Sequence, residues 1–318
     1  FNTSLPDLSG LGIKTNPTPS YIMNVGKIRN TGADFEIAYR NRIGKDFNYN
    51  INGNISFFKN KVLTTNESND ILISGNVLSG TNISYTQKGL PMSTFYGYQV
   101  EGVFQTQEEV DFYNTLAQTK GNQFYQESGT APGDLRFKDI NGDGKIDSAD
   151  ITNIGNPWPN FTYGFNLGFN WKFIDFNLTL TYSLGGHAYD YATWLQSNGG
   201  TYHYLGNVPA YYKMEDTWQK TGDNAKLPQF AYGNANKASS RWLMSTDHLR
   251  VKNMTLGFTL PQSWSSKAGI SKLRAYVSGN NLLTWKKKSL YVDPEVPVDG
   301  LCTFETPALR TVTFGLEI

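Results

Sequence analysis

Apolar and polar side chains alternate strictly along Phe161 to Gly186. Tyr163, Phe165, Leu167, Phe169, Trp171 and Phe173 occupy one phase, with Gly164, Asn166, Gly168, Asn170 and Lys172 between them. After Phe173-Ile174-Asp175 the phase resets. Phe176, Leu178, Leu180, Tyr182 and Leu184 then alternate with Asn177, Thr179, Thr181 and Ser183. A period of two is the mark of a strand whose faces meet different surroundings. Two such strands joined by two or three residues predict a β-hairpin. The apolar face is aromatic toward the strand ends, and the other face is Asn, Thr and Gly, which cannot build a dry core. A transmembrane β-barrel needs such faces, although a soluble antiparallel sandwich has the same period.

The same alternation recurs elsewhere. Ala33, Phe35, Ile37 and Tyr39 oppose Asp34, Glu36 and Arg40, and a turn near Arg42-Ile43-Gly44-Lys45 leads on. Phe47, Tyr49, Ile51, Ile55 and Phe57 then alternate with Asn48, Asn50, Asn52, Asn54 and Ser56. LRVKNMTLGFTLP (249–261), KLRAYVSGNNLLTW (272–285) and the final LRTVTFGLEI predict three more strands. Residues 1–30 read as loop. The short connections (42–46, 173–175, 261–271) alternate with long ones (about 60–160, 187–245 and 286–306). That is the pattern of an outer-membrane barrel with tight turns on one side and long external loops on the other. Structureless loops of such length are rare in compact soluble domains. STFYGYQVEGVFQ reads as a strand, but one extra crossing would invert every later loop. It is therefore expected outside the membrane, or paired with a second strand. About seven spanning strands remain, and an exposed leading edge cannot close a barrel. The expectation is one piece, residues 1–318, of a larger all-β transmembrane barrel with long extracellular loops.

Composition narrows the partners. The 28 Lys+Arg against 27 Asp+Glu imply no polyanionic partner, so no nucleic acid. Aromatics make up 14%, with 31 glycines. Mean hydropathy is −0.44, and no apolar run approaches the roughly 20 residues of a membrane helix. Cys302 is the single cysteine, which leaves no disulfide framework or Cys-based zinc site. The chain opens on Phe1 with no signal segment, which reads as a piece of a longer precursor.

The sharpest motif is DINGDGKIDSAD. It sets Asp139, Asn141, Asp143, Asp147 and Asp150 at loop positions 1, 3, 5, 9 and 12, Lys145 offering its carbonyl at 7. Gly144 stands at position 6, where the chain must turn with positive φ. This is oxygen-ligand spacing for structural Ca2+, expected to bind at on the order of 0.1–1 mM. Asp rather than Glu at position 12 resembles dockerin-type loops, and a solvated Asp/Asn/Gly turn is the alternative. Enzyme chemistry finds no support. His187, His203 and His248 lack ligand spacing and read as satisfied surface histidines, no GxSxG occurs, and Cys302 has no motif context. Glu108, Glu109 and Asp111 read as a solvated helix N-terminus at QEEVDFYNTLAQ, and Asp293 and Glu295 as a turn around Pro294. Trp194, Tyr202, Tyr204, Tyr211, Tyr212 and Trp218 are candidates to contact sugar or a partner, mutual packing being the alternative.

NVGKIRNTGADFEI, FNYNINGNISFFKNKV, STFYGYQVEGVFQ, LRFKDINGDGKIDSADITNIGNPWPNFTYGFNLGF, LRVKNMTLGFTLP, LRAYVSGNNLLTW and the DPE at 293–295 follow in order. Together they resemble the C-terminal third of a SusC/RagA-type TonB-dependent outer-membrane transporter. The resemblance implies a 22-stranded barrel in the Gram-negative outer membrane and a plug domain that this chain lacks. It further implies coupling to TonB-ExbB-ExbD through a missing N-terminal part, and import of glycans or peptides with a SusD-like surface lipoprotein over the loops. SLYVDPEV departs from the usual tyrosine–glycine lead into DPE, and the end at Glu317-Ile318 lacks the family's terminal aromatic. The other class the residues allow is a secreted calcium-stabilised β adhesin or carbohydrate-binding module.

Overall fold

Seven of the alternating segments pair into one antiparallel sheet whose spatial order follows the chain without a crossover. The structure, a computed structural model, describes residues 2–4, 20–22, 26–65, 71–76, 82–197, 214–229, 237–287, 290, 292–295, 297, 299–302 and 306–318. The strands are β1 (Lys27–Ile43), β2 (Phe47–Thr64), β3 (Phe161–Trp171) and β4 (Ile174–Leu184). After them come β5 (His248–Thr259), β6 (Arg274–Lys286) and β7 (Thr311–Glu317).

Register keeps the two faces distinct across the sheet, because a one-residue slip would move every apolar side chain to the wrong side. One row runs Tyr39, Ile51, Leu167, Leu178, Met254, Gly279, Val312. A neighbouring row on the other face runs Asn52, Asn166, Thr179, Asn253, Asn280, Thr311. β5 holds this phase with a bulge. Both its ladders pass over Lys252 between Val251 and Asn253, so the apolar series resumes at Met254. The turn after β3 falls at Lys172–Phe173, starting one residue before the expected 173–175, because Trp171 pairs directly with Ile174 and Asp175 is already in the ladder.

Among the described residues none covers the middle of the apolar face. Ile37 is 77% exposed and Phe314 81%, and Phe35, Leu256, Phe258 and Trp285 are exposed beside them. A continuous face of this kind is unstable against water and suited to lipid. On β2 it runs from Phe47 to Phe57, and roughly ten residues at ~3.4 Å, tilted ~45°, rise ~24 Å. That matches the thickness of a barrel's apolar band.

The long connections are folded, against the expectation of irregular excursions. Ile71–Asn76, Asn82–Gln87, Thr94–Gly97 and Thr152–Gly155 form a four-stranded sheet. Val100–Val103 pairs with Leu135–Phe137. STFYGYQVEGVFQ thus contributes to two small sheets and leaves the parity of the seven strands intact. His187–Asp190, Leu243–Ser245 and Leu301–Cys302 make a third sheet, the last strand coming from the 286–306 connection. All three connections therefore meet in one cap over the strand ends. The protein's dry cores lie there: Phe95, Tyr189, Trp194, Trp242 and Leu301 in one cluster, Phe104, Val110, Leu135 and Phe137 in another. Helix α1 (Gln107–Thr119) starts where expected, with the Thr106 hydroxyl taking Glu109 N–H at 3.3 Å and Glu108 and Glu109 in its first turn.

Candidate functional site

From β2 to β7 the polar face of the sheet is uncharged over most of its height, while β1 adds Asp34, Glu36, Arg40 and Arg42. Thr179 Oγ1 donates to Asn166 Oδ1 at 2.9 Å, Asn253 Nδ2 to Asn280 Oδ1 at 2.9 Å, and the Thr255 and Ser278 hydroxyls meet at 2.7 Å. Glycine on β3 makes room for this layer. A Cβ on Gly164 would stand 2.4 Å from Asn54 Oδ1, and one on Gly168 2.5 Å from Asn50 Oδ1. At the short-turn end Arg274 holds Asp175 through two bonds, 2.8 and 2.6 Å, and Glu317 at 2.9 Å, with its guanidinium 5.0 Å from the Tyr276 ring.

Toward the cap the same face carries a buried ion cluster that the sequence reading missed. Arg250 on β5 is 1% exposed. Its Nη2 donates to Asp293 Oδ1 at 2.7 Å, its Nε to Thr284 Oγ1 at 3.1 Å, and its Nη1 faces Glu295 Oε2 at 3.2 Å. The bulged Lys252 reaches Glu295 Oε1 at 2.5 Å. Asp293 also accepts Glu295 N–H and Ala308 N–H, at 2.9 and 3.2 Å. Burial works to raise the Asp293 pKa, but these bonds and Arg250 together hold it below the usual carboxylate range. The turn expected at Pro294 is present, and it also latches the last connection onto the polar face of the barrel wall. A lone arginine in the strand LRVK, opposite no acid of its own hairpin, was the available signal.

Residues 139–145 form a run of side-chain-to-backbone turns. Asp139 accepts Gly142 N–H (2.6 Å) and Gly144 N–H (2.8 Å), Asn141 accepts Asp143 N–H (2.9 Å), and Asp143 accepts Lys145 N–H (3.0 Å). Gly142 and Gly144 take φ 75 and 88, where side chains are strained. The second half of the motif is turned elsewhere. Asp147 bonds Ala149 N–H and Lys145 Nζ, both at 2.8 Å. Asp150, fully buried, accepts Ile140 N–H and Asp147 N–H, both at 2.8 Å. The Lys145 ammonium lowers the Asp147 pKa, and Asp147 raises that of Lys145. The oxygens at positions 1, 3 and 5 suit a hard cation in kind. Among the described residues no group of three or more His, Cys, Asp or Glu side chains stands together as a metal cage.

The loop aromatics divide. Trp194 is 3% exposed inside the first core cluster. Trp218 packs on the second, its Nε1 donating to Gln105 O at 3.2 Å and its ring filling the space beside Gly133. Both take the packing role rather than an open contact surface. Tyr202, Tyr204, Tyr211 and Tyr212 lie outside the described residues, as does His203. His248 is a core residue at 6% exposure, bonded at Nδ1 to Thr246 O at 2.8 Å, and not the surface histidine expected. Among the described residues α1 exposes two apolar side chains on the cap, Phe112 (59%) and Leu116 (44%), one turn apart. Their four-residue spacing was visible within the predicted helix.

No protein-family model matches the chain. TonB-dependent receptor P3 of Formosa agariphila is 31% identical over 332 residues, spanning all of this chain and 30% of that receptor. TonB-dependent receptor SusC of Bacteroides thetaiotaomicron is 25% identical over 315 residues, 96% of this chain and 28% of SusC. The solved RagAB peptide transporter matches 98% of this chain and 31% of its own with a TM-score of 0.71 at 20% identity. The RagAB peptide importer in its closed-closed state gives 0.69. The chain thus spans about 30% of the length of the curated relatives.

Proposed function

We propose that this chain, part of the transmembrane barrel of a SusC/RagA-type TonB-dependent outer-membrane receptor, serves nutrient import. The cargo is oligosaccharide or peptide, and energy comes from TonB-ExbB-ExbD through parts of the protein outside the chain. The observation that carries this reading is the two-faced sheet. One face is continuously apolar, and the other, from β2 to β7, is a hydrogen-bonded Asn/Thr/Gly wall with no charge along its middle, β1 alone adding Glu36 and Arg40 there. A wall of that kind can line an aqueous lumen and offer hydrogen bonds to neutral, hydroxyl- or amide-rich cargo. RagAB, which shares the fold, is a peptide transporter.

The cap stands on the external side in this proposal and meets a SusD-like lipoprotein. Phe112 and Leu116 are the apolar residues it offers on α1. The experiment is co-purification of the full-length receptor with its lipoprotein from outer membranes, with growth on candidate oligosaccharides and peptides as the readout. Phe112→Asp/Leu116→Asp should weaken the complex while leaving the barrel folded. Full recovery of the complex by the double variant would rule out this face. Growth of a deletion strain on every polymeric source tested would overturn the import reading itself.

A second reading concerns residues 139–150, proposed as a weak structural Ca2+ loop. The side-chain turns at Asp139, Asn141 and Asp143 favour it. Asp147 would have to leave Lys145 to join them. Terbium luminescence titrated against calcium, compared with Asp139→Asn, tests it. An identical titration in the variant would refute the site.

A further inference from the structure

The outward face of the β1–β2 hairpin changes character at one rung. Phe57, paired with Ala33, ends the apolar series, and its ring meets Phe161 edge-on at 5.0 Å. The next outward rung pairs Lys59 with Thr31, and the one above pairs Lys61 with Arg29. The three cations are exposed. The inward side chains between them are not free to trade places. Asn60 is 4% exposed and accepts Met92 N–H at 2.7 Å, and Val62 is 1% exposed beneath the cap. Strand alternation therefore fixes Lys59 and Lys61 outward.

Among the described residues no carboxylate is paired with them. Asp34 and Glu36 on β1 belong to the inward phase, Glu36 bonding Asn52 there. Lys287, just past the end of β6, is by contrast matched to Asp247 at 3.3 Å.

Position identifies the counter-charge. Two residues along a strand tilted ~45° rise ~5 Å, so Lys59 and Lys61 stand ~5 and ~10 Å above the apolar band. The polar headgroup layer adds roughly 5–8 Å on each side of the hydrocarbon. We propose that Arg29, Lys59 and Lys61 form a binding site for phosphate groups of lipid headgroups in the leaflet that surrounds the cap end of the barrel. The proposal rests on the membrane-barrel reading. At its other end the same hairpin closes in Arg42–Lys45, where Arg42 donates to the Lys45 carbonyl.

The test uses the full-length receptor in nanodiscs of phosphatidylcholine, alone or mixed with phosphatidylglycerol or lipid A, and native mass spectrometry of retained lipid. Wild type should retain the anionic lipid. R29Q/K59Q/K61Q should lose roughly fivefold in retention per charge, the fold-change equivalent to ~1 kcal/mol per basic residue at a charged membrane surface. K172Q, at the opposite rim, should behave as wild type. Heat-modifiable migration on gels confirms that each variant is folded. Equal retention by wild type and the triple variant would overturn the site. So would release of the lipid by inorganic phosphate or pyrophosphate at low millimolar concentration, which would mark a free-anion site. A receptor that never enters nanodiscs would instead overturn the barrel reading.

Discussion

Removing the Arg250 guanidinium should free the last long connection from the barrel wall without unfolding the barrel. Arg250 is 1% exposed and bridges Thr284 on β6 to Asp293 and Glu295 on the connection. Breaking a buried pair by deleting one partner costs about 3–5 kcal/mol, because the other charge stays desolvated. Here the remaining partners soften the loss. Asp293 keeps two peptide N–H donors, and Glu295 keeps Lys252. The cost of Arg250→Ala should therefore sit at the low end, ~3 kcal/mol, which is on the order of a hundredfold in the opening equilibrium. Amide exchange of peptides spanning 290–302, in the full-length receptor, should quicken by about that factor. Exchange in β2 and β3 should not change, since neither strand pairs with β5. Arg250→Lys should fall between, keeping charge but losing the planar fork that reaches three acceptors. Unchanged exchange at 290–302 in Arg250→Ala would refute the latch.

Acid should weaken the same latch. The Asp293 pKa is lowered in the fold, so its stabilisation is complete above the unfolded carboxylate value near 4 and is lost as pH falls through the folded one. Exchange at 290–302 should accelerate only below that range, and acceleration already between pH 7 and 5 would assign the effect to another group. Phe165→Arg, on the lipid face between Gly53 and Leu180, should cost roughly 2–4 kcal/mol of barrel stability near the bilayer midplane. Asn166→Arg, on the neighbouring rung and opposite face, should be far milder in the same urea titration in lipid, and equal losses would sink the face assignment. Protease on intact cells lacking the partner should cut in the cap connections and spare 42–46 and 261–271. Cleavage at the short turns in sealed cells would mean the barrel is inverted.

The seven strands were legible because lipid on one side and water on the other write a period of two that no local propensity disguises. Even the β5 bulge shows in the sequence, as Leu249 and Val251 give way to Met254 and Leu256 across Lys252-Asn253. The turn after β3 was placed late because Phe173 continues the apolar phase. Only pairing of Trp171 with Ile174 puts Phe173 outside the ladder.

The cap resisted reading for a physical reason. Its sheets are built from two- to six-residue strands, several drawn from connections far apart in sequence, so no window holds more than a few alternations. Gly97 illustrates the dependence, since a Cβ there would lie 2.6 Å from Ala238 O, in a different connection. The bridge between Tyr98 and Ser239 and the bond from Val100 N–H to Ser240 Oγ at 2.9 Å tie the same two segments. Burial of Trp194 and the fit of Trp218 over Gly133 are consequences of that convergence, and composition alone counts such aromatics as available surface. The Arg250 cluster belongs to the same class, because its charges come from a strand and a connection more than forty residues apart. Local chemistry such as the turns at Asp139 to Lys145 was readable from spacing. Whether Asp147 faces a cation or Lys145 depends on a two-residue competition between an ion and a tethered ammonium, and spacing is the same in both states.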